Sequence, residues 1–170
     1  MSQLLTKTRS IVSLYQQATM WLALLGGVVL TLMALTTVVS VGGRYFFSAP
    51  LQGDTEIVQM FTAVVVALCL PYCQMRFGNV IVDVLTSSAP RIFRLTMDVI
   101  GSLLLGGLFA ILAYYTYEGG LAAAKYGNET MMLRMKEWYF YDTIAFGFVL
   151  TSIAGFVKPI ALIADYEGSK

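Results

Sequence analysis

The chain has 170 residues, 58% of them hydrophobic and 12% charged, with a net charge of +1 and a mean hydropathy of +0.73. A soluble domain carries about a quarter charged residues, so composition excludes an ordinary soluble fold, and the near-neutral charge offers nothing to a nucleic acid. The chain contains no histidine, which removes His-ligated haem, His-based zinc sites and the commonest general base.

In chain order, residues 1–20 are mixed rather than apolar. Leu4, Leu5, Ile11, Val12 and Tyr15 recur at roughly helical spacing while Lys7 and Arg9 fall on other angles, which predicts a short amphipathic helix lying in the membrane interface. A helix needs about 20 predominantly apolar residues to cross the hydrocarbon core. Four stretches meet that length, over 21–41, 57–75, 95–117 and 138–163, and residues 164–170 form a tail. In lipid every backbone polar group must be paired internally, so helices are the reading for such runs. The first apolar stretch is too long and starts too late for a secretory signal, and no A-x-A-like site follows it. The expected fold is all-α and integral to the membrane: four transmembrane helices and an N-terminal interfacial helix. Arg and Lys in the alternate connections number seven on the N-terminal side (Lys7, Arg9, Arg76, Arg91, Arg94, Lys158, Lys170) and four on the other (Arg44, Lys125, Arg134, Lys136), which predicts both termini in the cytoplasm.

The connection "VGGRYFFSAPLQGDTEIVQMF", residues 41–61, carries Arg44, Asp54 and Glu56 between two apolar runs. Helix-end chemistry accounts for each charge. Arg44 suits the C-terminal end of one helix, Pro50 cannot continue it, Asp54 and Thr55 are N-cap residues for the next, and Glu56 places negative charge in its first turn. A contact with a partner or a lipid headgroup is the alternative. The connection from Arg76 to Pro90 is too apolar for a solvated loop and predicts a short interfacial segment with Asp83 facing water or a partner. Ser88 is placed to cap the third helix, Pro90 falls in its first turn, and Arg94 and Asp98, four apart, are placed to pair.

Small residues four apart, Ser102, Gly106 and Ala110 in the third span and Gly147, Thr151 and Gly155 in the fourth, predict close helix packing. Cys69 and Cys73 share a helix face without companion ligands for a metal. Asp98 and Asp142 lie near span ends, and no carboxylate occupies a span's middle, where an ion relay would need one. The residues thus point away from an enzyme, without a cofactor in this chain, and toward a scaffold that packs against another membrane protein.

Two runs carry a resemblance further. "GRYFFSAPLQGDTE", followed after the second span by "FGNVIVDVLTSSAPRIFR", resembles the small, four-helix (Q-type) membrane subunit of TRAP transporters, the tripartite ATP-independent periplasmic transporters of bacteria. The family pattern maps onto Arg44 and Tyr45, Pro50, Asp54 and Glu56, then Val82 and Asp83, and Pro90 to Arg94, and the four-span plan agrees. The resemblance implies a place in the bacterial inner membrane beside a large membrane subunit, which would bind the solute and sodium ions. A periplasmic binding protein would deliver a carboxylate-bearing organic anion, of C4-dicarboxylate or sialic acid type. This chain would act as the brace. It also marks Arg44, Tyr45, Pro50, Asp54, Glu56, Arg76, Asp83, Pro90 and Arg94 as contacts for a partner or for membrane lipid. An autonomous oligomeric transporter and a quinone-type membrane anchor are the other readings the residues allow.

Overall fold

The computed structural model describes residues 2–47, 52–77 and 91–167. They form four α-helices: α1 (Ser2–Phe47), α2 (Asp54–Phe77), α3 (Arg91–Tyr126) and α4 (Trp138–Glu167). All four contain stretches long and apolar enough to cross a membrane, Val12–Phe46, Asp54–Arg76, Leu95–Tyr126 and Trp138–Leu162. The fold is the all-α membrane architecture read from the apolar runs. One detail differs: residues 2–20 are not a separate element but the beginning of α1. At 1.5 Å per residue a helix of this length is about 69 Å long, against a hydrocarbon core of about 30 Å.

The major contacts run α1 to α2, α2 to α4 and α4 to α3. The helices therefore stand largely as a row, with α2 and α4 central. α1 meets α4 more lightly, where the Tyr15 hydroxyl donates to the Leu150 carbonyl.

Each interface uses small or hydroxyl residues. Among the described side chains of α1 the buried positions are Thr19, Gly26, Met33 and Ser40, each seven residues after the last. This is the repeat of left-handed supercoiled helix pairs. The Thr19 hydroxyl donates to the Tyr15 carbonyl of its own helix, at 3.1 Å, so its burial leaves no unpaired polar atom.

Two prolines lie one turn from the closest helix approaches. Pro71 and Pro159 lie inside α2 and α4. Each lacks the N–H that would bond four residues back, at Ala67 and Gly155. A Cβ on Gly147 would come within 2.5 Å of the Ala67 oxygen, and one on Gly155 within 2.5 Å of Gly106 Cα. Those are separations only glycine permits. Backbone-to-backbone approach at both crossings supplies the dispersion contacts that drive helix association where lipid removes the hydrophobic term. Ser152 reinforces the second crossing by donating to the Gly106 carbonyl at 2.9 Å.

Candidate functional site

The charged connection between α1 and α2 and the α3–α4 loop meet at one end of the row. α2 begins at Gly53, whose carbonyl accepts the first helical bond from Ile57 N–H at 3.1 Å. Gly53 thus occupies the N-cap position, one residue before Asp54 and two before Thr55, the caps expected from the sequence. Its φ of +80° lies in the left-handed region that glycine enters without cost. A side chain there would also strike Leu133, whose Cγ would lie 2.7 Å from the added Cβ.

Relieved of capping the helix from the N-cap position, Asp54 turns to α1. Its Oδ2 accepts the hydroxyl of buried Ser40 at 2.5 Å, and its Oδ1 accepts the Thr55 N–H at 2.7 Å. The pair staples the last turns of α1 to the first turn of α2.

Glu56 reaches the other way. Its Oε1 accepts the Met132 N–H at 2.8 Å and its Oε2 the Leu133 N–H at 3.0 Å. Charge-assisted bonds to two successive backbone donors are the stronger kind, and they fix the α3–α4 loop over the start of α2. The first-turn charge read from the sequence is real, yet its partner lies 76 and 77 residues away.

The loop is itself ordered. α3 closes with Asn128 N–H to Ala123 oxygen at 3.0 Å and Gly127 N–H to Ala124 oxygen at 3.4 Å, the paired bonds of a Schellman motif. Glu129 and Lys136 form an antiparallel bridge. Within it Thr130 N–H donates to the Met135 carbonyl at 3.0 Å, and Met135 N–H to Thr130 Oγ1 at 3.1 Å. Arg134, at the turn, has a φ of 52°. Trp138 stacks on Tyr139 with centroids 3.7 Å apart at the start of α4.

The other sequence-marked residues do not all join this cluster. Arg44, in the last turn of α1, and Tyr45 are exposed beside it; the Tyr45 ring meets Phe46 edge-on at 5.1 Å. Arg76 ends α2 at the opposite end of the row, 5.9 Å above the Tyr72 ring. Near it Lys158 donates to the Gln74 carbonyl at 3.1 Å, a cation on one of the last carbonyls of α2. Pro50, Asp83 and Pro90 lie outside the described residues, as does the Arg94 side chain, so the expected pairing with Asp98 falls outside them too.

Of the packing residues, Ser102, Gly106, Gly147, Thr151 and Gly155 are buried between helices. Ala110 is not: it is exposed, and Ala113 takes the buried place. Cys69 Sγ lies over Gly26 of α1 and Cys73 is exposed. Among the described residues no group of three His, Cys, Asp or Glu side chains could hold a metal ion. Two hollows of about 400 Å³ each, among the described residues, are open and mainly apolar: one between α1 and Tyr72, the other between α3 and α4. The hinge end thus organises structure: its carboxylates tie three chain segments together.

The sequence matches the family model described as "Tripartite ATP-independent periplasmic transporters, DctQ component" over residues 33–164. No curated protein and no solved structure shows significant similarity to the chain. The match takes in the last third of α1, all of α2 and α3, and nearly all of α4; the chain belongs to the DctQ family, the small membrane component of TRAP transporters.

Proposed function

We propose that the chain is the scaffold subunit of a sodium-coupled TRAP transporter in the bacterial inner membrane. It would brace a large transport subunit during uptake of a carboxylate-bearing organic anion delivered by a periplasmic binding protein. The observation that carries this reading is the row of helices. Four helices standing largely side by side leave two broad faces, and Leu25, Leu32, Leu35, Leu104 and Ile111 are among the many large apolar side chains exposed on them. Such faces suit lipid on one side and a larger membrane protein on the other. The chain's own carboxylates do not suit ion coupling. Asp54 and Glu56 are engaged at the mouth of α2, and Asp98 and Asp142 lie near helix ends. Solute and sodium sites then belong to the large subunit, and both termini of this chain face the cytoplasm, with the hinge end periplasmic.

Reconstitution in liposomes tests it. The chain alone is expected to show no sodium-driven uptake of dicarboxylates or sialic acid. Uptake is expected only when the large subunit and the binding protein are both present. Transport by this chain alone would overturn the reading.

A further inference from the structure

We infer that the α3–α4 loop is a membrane-surface anchor, its tip at Met131 and Met132 entering the headgroup region of the bilayer beside α2. The inference rests on the membrane placement of the helices and not on the scaffold role.

Position is the first ground. Leu133 against Gly53 and the Glu56 bonds to Met132 and Leu133 hold the tip over the start of α2. That is level with the beginning of its apolar run at Ile57, so the loop folds down beside the membrane surface instead of standing away from it.

Chemistry is the second. Met131 is 96% exposed and Met132 67%, two flexible apolar side chains presented where a solvated loop would carry polar ones. The loop backbone, by contrast, is largely satisfied from within. Between Gly127 and Glu137, five N–H groups donate to backbone carbonyls, one to the Thr130 hydroxyl and two to Glu56. A loop in water has no need of such pairing, whereas one near lipid must have it, because each unpaired donor costs free energy there. Glu56 thus supplies the acceptors that make the tip compatible with the headgroup layer.

Continuity is the third. Tyr126 enters the loop and the stacked Trp138 and Tyr139 leave it, aromatic residues of the kind that mark the membrane–water boundary. Arg134 and Lys136, both exposed, follow the apolar tip, and Lys136 faces Glu129 across the bridge, so the C-terminal side of the loop carries cations able to meet lipid phosphates.

The test uses the full chain in nanodiscs of phosphatidylethanolamine and phosphatidylglycerol. In a Cys69→Ala, Cys73→Ala background, Met131→Cys, Met132→Cys and Glu129→Cys each carry an environment-sensitive fluorophore. Quenching by headgroup nitroxide lipid is compared with quenching by aqueous iodide. Labels at 131 and 132 are expected to be quenched several-fold more by the nitroxide lipid than the label at 129, and to be shielded from iodide. Adding Glu56→Ala is expected to move them toward water. Iodide access equal to that at 129 overturns the proposal. So does shielding that appears only in the complex with the large subunit, which would make the tip a protein contact. Two tip labels keep the result readable if one variant is poorly folded.

Discussion

Glu56 holds the backbone N–H groups of Met132 and Leu133 with its two carboxylate oxygens, at 2.8 and 3.0 Å. One side chain at the mouth of α2 thereby fixes the loop between α3 and α4, and so relates the two halves of the row. Glu56→Ala is expected to release that loop: hydrogen exchange at Met132 and Leu133 accelerates, while exchange within the α2 interior stays as before. Glu56→Gln keeps one acceptor oxygen and is expected to fall between. Unchanged exchange in Glu56→Ala would show that the loop's own bonds suffice.

Ser40 and Asp54 form the matching staple between α1 and α2. Because both contribute to a single bond, Ser40→Ala and Asp54→Asn are expected to be strongly non-additive in a double-mutant cycle. The readout is unfolding in mild detergent. Additive effects would mean that each residue acts through some other contact.

The α3–α4 crossing gives a sharper contrast. An added methyl at Gly155 meets Gly106 Cα at 2.5 Å, whereas Gly107, one residue from the crossing, has nothing within 4 Å. Gly155→Ala is expected to destabilise the fold by about 1–3 kcal/mol, the usual cost of overpacking. Gly107→Ala is expected to be neutral or slightly stabilising, since alanine favours helix over glycine. Equal effects in a thermal unfolding assay would place the crossing elsewhere.

At the opposite end, Lys158 donates to the Gln74 carbonyl among the last free carbonyls of α2. Lys158→Met removes the cation and is expected to quicken hydrogen exchange in the last turn of α2, where Lys158→Arg preserves protection. The effect on global stability is expected to be about 0.3–1 kcal/mol, typical of a cation at a helix C-terminus.

How these features could be read in advance differs by kind. The four helices were legible because apolar length is itself the signal for crossing lipid. The faces they pack with were less so. A helix immersed in lipid is apolar on every side, and hydropathy cannot tell the face toward α2 from the face toward lipid. Small residues tell more, as Ser102, Gly106 and Gly155 show. A strict spacing of four nevertheless turns about 40° per step on a 3.6-residue helix, and by Ala110 it has left the interface that Ala113 still occupies. The seven-residue series Thr19, Gly26, Met33 and Ser40 pairs three small or hydroxyl residues with one flexible Met at a constant spacing, a pattern that apolar length does not register.

The hinge was legible in its composition but not in its partners. Asp54 and Glu56 both have the chemistry of a helix start, and by local position alone that is the role they suggest. Gly53 takes the cap instead, and the carboxylates bind Ser40 and the Met132 and Leu133 amides. Backbone amides carry no mark in the sequence, so a contact made across more than seventy residues shows only once the helices are placed.

A brace for a separate transport subunit should leave the membrane together with it: the tagged chain is purified from its native membranes in mild detergent and its companions are identified by mass spectrometry. One stoichiometric, highly hydrophobic partner with many more membrane spans than this chain is expected. A homogeneous oligomer of this chain alone would contradict it, and Asp98 and Asp142 would then be the residues to examine for transport.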